Sequence, residues 1–209
     1  GGCKLQDIKY EKQMEFKVGV VKDALKHIGK IESSSIRSVP AEKTYNYRNK
    51  GSFAIQKQAG FIRMGFFKQG SHDVISTERC GILHDPINDA KEFIRELLIK
   101  HQVSIYDEKK HLGLFRELVI RHSQTTNQLL VGLVTTVGDF SEEFLEELTK
   151  KNTCRKLSIC GIVQNINSQK TNVILGKETR VLWGQGELNE QLGNLKFQLS
   201  LTSFFQVHP

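Results

Sequence analysis

The stretch LFRELVIRHSQTTNQLLVGLVT, residues 114–135, predicts two strands joined as a hairpin. Residues 114–121 and 128–135 are rich in leucine, valine and isoleucine, of which the β-branched valine and isoleucine pack well on a pleated sheet. The residues between them, 122–127, are all polar, so we expect the chain to reverse direction there. The sequence therefore predicts an antiparallel pair of strands in the middle of the chain.

Three helices are predicted outside this hairpin. The first carries an apolar stripe at three- and four-residue steps and ends near Gly29, which suits the left-handed position after a helix. The second covers residues 89–101 with Asn88 as its N-cap, and the third begins at Ser141. The stripe of the first helix consists of Met14, Val18, Val21, Leu25 and Ile28.

Strand patterns occupy most of the remaining chain, between residues 45 and 76 and at 157–166, 173–175, 180–183 and 195–201. They do not alternate regularly with helices, as the strands of a parallel doubly wound sheet would. The sequence therefore predicts an α+β fold, with a mainly antiparallel sheet and packed helices. A parallel doubly wound sheet is the less favoured alternative, and no internal domain boundary is recognisable.

The composition is that of a globular protein with a basic surface. Hydrophobic residues make up 38% and charged residues 25% of the 209 residues, and the formal net charge is +7. A positive field favours polyanionic partners such as RNA. No apolar run reaches the roughly 20 residues that a membrane span needs, and the first residues do not resemble a signal peptide. We therefore expect a cytoplasmic protein that has no membrane partner.

The motifs of common enzyme sites are absent from the sequence. It has no Walker-type phosphate loop, no two-histidine zinc helix and no Gly-x-Ser-x-Gly elbow. Gly184-Gln-Gly186 predicts a turn, because Asn189 stands where a nucleotide loop has its third glycine. Cys154 and Cys160 lie in a strand-like apolar run and are expected to be buried thiols. We assign no catalytic residue in this chain, which by itself suggests a binding region.

Five short motifs are spread along the chain. They are Gly1-Gly-Cys3-Lys-Leu-Gln6, Tyr47-Arg48-Asn49-Lys50, Gly113-Leu-Phe-Arg116, Asn165-Ile-Asn167 with Leu175-Gly176, and Ser203-Phe204-Phe205-Gln206-Val207. In sequence and in order they resemble the motifs of the RNA uracil-5-methyltransferases, the family that forms 5-methyluridine in RNA. The resemblance runs from Gly1 to Pro209 and so covers the whole chain.

The resemblance implies that residues 1–209 are the central, RNA-contacting domain of a larger enzyme that uses S-adenosylmethionine. In the ribosomal-RNA branch a β-barrel precedes this domain and a Rossmann-like catalytic domain follows it. On this interpretation both are missing here. The family reaction implies that a cysteine thiolate of the catalytic domain attacks carbon 6 of a flipped-out uracil. We therefore expect the fragment alone to be inactive.

The resemblance also assigns ligand positions residue by residue. Cys3 and Cys80 match two of the four cysteines that hold a 4Fe-4S cluster in the ribosomal-RNA branch, so the ligand set would be incomplete. Gln206 and Phe204 match positions at the edge of the S-adenosylmethionine pocket, whereas Phe205 is expected to be a core residue of a strand. The basic residues expected to contact RNA are Arg48, Lys50, Arg63, Lys68, Arg116 and Arg121, and Tyr45, Tyr47 and Phe53 are expected to stack on bases.

Ribosomal RNA, in particular 23S rRNA, is the favoured substrate, because the transfer-RNA branch generally lacks the cysteine motif. Three alternatives stay open. The protein could be a transfer-RNA uracil-5-methyltransferase, or a free-standing RNA-binding or assembly module without catalysis. It could also be an unrelated metabolic enzyme whose positive charge is incidental.

Overall fold

The computed structural model of the chain contains two compact units, residues 1–44 and 45–209. The structure describes residues 3–32, 35–154, 157–171 and 173–208. The first unit contains helix α1 (Tyr10–His27), which confirms the helix predicted from its apolar stripe. Its last turn carries Lys26 and His27, which suit the negative end of the helix dipole. The Tyr10 hydroxyl accepts a hydrogen bond from the backbone N–H of Ala41 at 2.7 Å, which ties the following segment to the helix.

Among the described residues, the second unit is built on a seven-stranded sheet with the order β3-β2-β1-β4-β5-β6-β7. All neighbouring strands pair antiparallel except β5 and β6, which are parallel because a helix connects them. The predicted α+β fold with a mainly antiparallel sheet is therefore confirmed. The strands are β1 (Lys50–Gln58), β2 (Phe61–Phe67), β3 (Val74–Ser76), β4 (Phe115–His122), β5 (Leu129–Thr135), β6 (Ile159–Ile166) and β7 (Glu178–Gly184).

The predicted hairpin forms the centre of this sheet. Strands β4 and β5 pair antiparallel, with Ile120 opposite Val131. A bulge between Phe115 and Glu117 turns both Phe115 and Leu118 toward the same core. Apolar side chains on both faces of β5 are buried, because both faces of the sheet are covered at this position.

Helices α2 (Asp85–Lys100) and α3 (Glu142–Cys154) pack against one face of the sheet. Ser141 caps α3, since its hydroxyl accepts from the backbone N–H of Phe144 at 3.3 Å. The predicted N-cap of α2 is wrong: Pro86 lies in the first turn, so the helix starts at Asp85 and Asn88 lies buried inside it. Within the described part of the chain, no helix combines the length and the apolar character that crossing a membrane requires.

A second hairpin covers the opposite face of the sheet. Its strands are β8 (Glu187–Leu192) and β9 (Leu195–Ser200), and the sequence patterns predicted only the second of them. Gly184, with a φ of 67°, lies in the turn that was predicted between residues 184 and 186. The strand predicted at residues 173–175 is wrong, since these residues form a loop. This second core consists of Val119, Leu130, Val134, Val163, Leu188, Leu199 and Leu201.

Candidate nucleic-acid interface

The terminal segment, residues 203–208, is held against the start of β1 through its backbone. Arg121, only 3% exposed, donates from its guanidinium to the carbonyl oxygen of Ser203. Asn49 donates from its backbone N–H to the Val207 carbonyl at 3.0 Å and from its amide to the Gln206 carbonyl at 3.1 Å. These bonds fix the path of the segment while leaving its side chains free to alternate between solvent and core.

The side chains of this segment do alternate. Phe204 is 86% exposed and Gln206 is exposed, whereas Phe205 is half-buried with its ring 5.6 Å from that of Phe197. Phe205 therefore belongs to the second core, as expected. Phe204 offers an aromatic face and Gln206 an amide that both donates and accepts, so together they form an edge suited to a planar polar ligand. Their predicted role beside S-adenosylmethionine stays a prediction.

Three cations lie together where β1 begins. Lys50 and Arg121 are direct partners in the pairing of β1 with β4, and the Arg48 Nε donates to the Lys50 carbonyl oxygen at 3.0 Å. The pKa of Lys50 is lowered, first by burial and then by the positive charges of Arg121 and Arg48. A bound anion would relieve this repulsion, so the cluster is suited to a phosphate.

The structure gives Arg121 a different role from the predicted RNA contact. Burial lowers the pKa of its guanidinium, and its donors reach the backbone carbonyls of Leu201 and Ser203. Arg121 therefore tethers the terminal segment from inside the protein. It contributes positive charge to the cluster, but its side chain does not face a ligand.

Arg116 is also used within the protein. Its guanidinium donates to the carbonyl oxygens of Asn167 and Gln169, the latter at 2.8 Å. The same group lies 4.5 Å from the centre of the Tyr106 ring, a cation–π arrangement. Arg116 thus closes the loop that follows β6, and its predicted assignment as a phosphate contact stays a prediction.

The Asn-Ile-Asn motif organises this same loop. The Asn165 amide donates to the Gly176 carbonyl at 3.1 Å and accepts from the Gly176 N–H at 2.7 Å. The Asn167 amide donates to the Val173 carbonyl at 2.6 Å. Because these bonds take the backbone groups that a sheet would use, residues 173–175 form a loop rather than a strand.

Arg63 and Lys68, two of the predicted RNA contacts, are exposed. Arg63 pairs with Gln56 across β1 and β2, so both side chains lie on the face opposite α2, as does Lys50 at the start of β1. Lys68 lies in the turn after β2. We call this the open face and define it by Lys50, Ser52, Ala54 and Gln56 of β1 with Arg63 and Gly65 of β2.

One of the three aromatic residues predicted to stack on bases does not face solvent. Phe53 is fully buried and packs against Phe66, with ring centres 5.5 Å apart, so this prediction is wrong. Tyr45 is 54% exposed. Tyr47 is half-buried, with its ring centre 4.4 Å from that of His208. The difference arises because Phe53 lies within β1 and faces the helices, whereas Tyr45 and Tyr47 precede the strand.

A cleft of about 900 Å³, which no sequence motif indicates, opens on the same side of the sheet. Glu117 of β4 lines it, and burial raises the pKa of this carboxyl to about 7 although the charge of Arg116 opposes the shift. Among the described residues, the Glu117 Oε2 atom is buried without a hydrogen-bond partner. A charged residue in the middle of an apolar strand was the one signal that could have revealed it.

Cys3 and Cys80, the predicted iron–sulfur ligands, are free thiols, one in each unit. The backbone of Cys80 is fixed by Asn88, whose amide accepts from its N–H at 2.9 Å and donates to its carbonyl at 3.2 Å. The described residues contain no group of three or more His, Cys, Asp or Glu that could hold a metal, so they do not fit a four-cysteine site. Cys160 is half-buried, which raises the pKa of its thiol, and the Cys154 side chain lies outside the described residues.

Comparison with known proteins identifies relatives along the full chain, although no family model matches it. The sequence is 40% identical over 209 residues to an uncharacterised RNA methyltransferase of Clostridium tetani. It is 37% identical over 212 residues to an uncharacterised RNA methyltransferase of Clostridium acetobutylicum. Both alignments cover 100% of this chain but 45% and 46% of the relatives, so the chain spans about half the length of the curated relatives it matches.

The fold matches a solved structure over the same extent. The tRNA (uracil-54, C5)-methyltransferase of Pyrococcus abyssi, in complex with S-adenosyl-L-homocysteine, superimposes with a TM-score of 0.78 at 26% identity. The match covers 100% of this chain and 46% of that enzyme. The resemblance that the sequence motifs indicate is therefore confirmed at this level: the relatives in sequence are named RNA methyltransferases, and the matching fold is that of a tRNA (uracil-54, C5)-methyltransferase.

Proposed function

We propose that this chain is the RNA-contacting region of an RNA (uracil-5-)-methyltransferase that uses S-adenosylmethionine. The observation that carries the proposal is the open face, where Lys50 and Arg63 place positive charge on the side of the sheet opposite α2. The names of the relatives and of the solved structure support RNA as the substrate and methyl transfer as the reaction. Arg48 and Lys68 are the further cations that we assign to the RNA surface.

S-adenosylmethionine would supply the methyl group, and two side chains of the terminal segment fit the edge of its pocket. Phe204 and Gln206 are both exposed, and the backbone around them is fixed by Asn49 and Arg121. An edge that is already ordered binds a ligand at a lower entropic cost than a free terminus. The role of this chain is therefore to hold RNA and one side of the cofactor, and we assign it no catalytic residue.

We infer ribosomal RNA, in particular 23S rRNA, as the substrate class, on the basis of the Gly1-Gly-Cys3 motif together with Cys80. Transfer RNA is the second candidate, because the enzyme whose solved structure has the matching fold is named a tRNA methyltransferase. Binding of the chain to transcripts of ribosomal-RNA stem–loops and of transfer RNA, at equal salt, separates the two. Tighter binding of the transfer-RNA transcripts would overturn the ribosomal assignment.

The RNA-contacting surface is tested by a double variant, Lys50→Ala with Arg63→Ala. Both residues lie on the open face and neither donates one of the tethering bonds to the terminal segment. RNA affinity is measured by fluorescence anisotropy over a series of salt concentrations. Because about 0.7 counterions are released for each single-stranded phosphate that is neutralised, the slope of log affinity against log salt should fall by about 1.4.

The matched control is Lys100→Ala with Lys150→Ala, which removes the same charge from α2 and α3 on the opposite side of the sheet. Lys150 pairs with the exposed carboxylate of Glu146, and such surface pairs contribute little stability. Lys100 pairs with Glu147, which keeps its contact with His101 when Lys100 is replaced. The control should keep the wild-type salt slope. An equal fall in both double variants would show that the open face has no special role. RNA affinity that does not depend on salt would instead favour an unrelated enzyme.

A further inference from the structure

The cleft beside Glu117 has the size and composition of a ligand site. It is lined by Ser52 and Ala54 of β1 and by Phe67 of β2, and its sides are residues 71–74, 105–110, 171 and 173–174. Its volume of about 900 Å³ lies within the range of small-molecule sites in proteins. Small side chains on β1 leave room above the sheet, and the loops enclose that room laterally.

Glu117 is the polar group that this cleft leaves unsatisfied. Its Oε2 atom is buried and has no hydrogen-bond partner, although buried carboxyl oxygens are normally paired. The adjacent Arg116 does not supply a donor, because its guanidinium binds the carbonyls of Asn167, Gln169 and Thr171. The terminal torsion of a glutamate is soft, so the carboxyl plane can turn toward a ligand in the cleft.

Aromatic rings and lysines also line the cleft, together with the carboxylates of Asp73, Asp107 and Glu108. Phe67 is 43% exposed with its ring centre 5.8 Å from that of His72, and Tyr106 lies under the Arg116 guanidinium. An exposed ring such as that of Phe67 can stack on an unpaired base. Lys57, Lys109 and Lys110 also line the cleft and bring ammonium groups that suit the phosphates on either side of a bound base.

We propose that this cleft binds one unpaired guanine of the RNA, whose N–H groups donate to the Glu117 carboxylate while its ring stacks on the aromatic wall. The inference rests on the proposed function, since it names a subsite for the same RNA. Guanine is the base that fits, because it offers two adjacent donors, the ring N–H and the amino group. In adenine and cytosine the amino group adjoins an acceptor nitrogen, and in uracil the N–H lies between two carbonyls that would repel a carboxylate.

The test uses the 209-residue chain and labelled decamers of uridine with one central guanine, adenine or cytosine. Wild-type protein should bind the guanine decamer about tenfold more tightly than the others, the discrimination expected of one two-donor base contact. Glu117→Gln should reduce this preference to about twofold or less, because the amide loses one acceptor. Glu178→Gln, which changes an exposed carboxylate on β7 outside the cleft, should keep it.

Equal binding of all decamers by the wild-type protein, or an undiminished guanine preference in Glu117→Gln, would overturn the guanine site. The first of these outcomes needs no variant, so misfolding cannot obscure it. If salt-dependent RNA binding persists without base preference, this inference fails and the proposed function stands. If the wild-type chain binds no RNA at all, both fail.

Discussion

Replacing Glu117 with glutamine should change how the stability of the protein depends on pH. Burial raises the pKa of this carboxyl from its ordinary 4.5 to about 7. Since the folded protein holds the proton more tightly than the unfolded chain does, the stabilisation from Glu117 is complete at low pH. It is lost progressively as the pH rises from the unfolded pKa through about 7. A glutamine does not titrate, so the variant should lack this component.

The magnitude follows from the two pKa values. Each tenfold difference in proton affinity corresponds to about 1.4 kcal/mol, so between about pH 5.5 and pH 8 the wild type should lose about 2 kcal/mol of unfolding free energy relative to Glu117→Gln. The neighbouring charges of Arg116 and Glu108 act on Glu117 in opposite directions, and both are kept in the variant. The difference between the two proteins therefore isolates the carboxyl.

Urea denaturation over this pH range measures the effect. The control is Glu178→Gln, which makes the same substitution at an exposed position on β7 outside the cleft and should follow the wild-type curve. The glutamine amide carries an unpaired donor of its own, which lowers the unfolding free energy of the variant equally at every pH. This constant cost does not affect the comparison, because only the change of stability with pH is compared. If the wild type and Glu117→Gln lose stability in parallel as the pH rises, Glu117 is not held in an apolar, unpaired setting.

Three further predictions concern the scaffold and the reaction. Arg121→Met should lower the unfolding free energy by about 2–3 kcal/mol, because carbonyls of the terminal segment lose a buried donor; a urea midpoint equal to that of the wild type would contradict this. Asn165→Ala should cost about 2 kcal/mol and speed amide hydrogen exchange in residues 167–178. Unchanged exchange there would show that the motif does not hold the loop. The 209-residue chain alone should transfer no tritiated methyl group from S-adenosylmethionine to RNA, and incorporation above background would contradict its predicted inactivity.

The elements that the sequence predicted correctly are those set by local pattern. The stripe of α1, the hairpin of β4 and β5, and the Ser141 cap each depend on residues close together in the chain. The start of α2 was misplaced because Asn88, a good cap in isolation, is instead buried and bonded to the backbone of Cys80. Tertiary contact overrides propensity at such positions.

The hydrogen-bond partners of the buried and half-buried arginines could not be predicted, because these partners lie far away along the chain. Arg121 finds its acceptors 80 and 82 residues away, at Leu201 and Ser203. Arg116 finds its acceptors more than 50 residues away, in the loop after β6. From the sequence alone, both arginines would be placed on the protein surface. Lys50, by contrast, could be placed on the open face from strand alternation alone once β1 was recognised.

The proposed function places RNA on the open face, opposite α2 and α3. This placement can be measured by ultraviolet crosslinking of the chain to RNA, followed by mass spectrometry of the attached peptides. We expect crosslinks in residues 45–58 and 61–68 and at Phe204. Crosslinks confined to α2 and α3 would show that RNA binds the opposite side of the sheet.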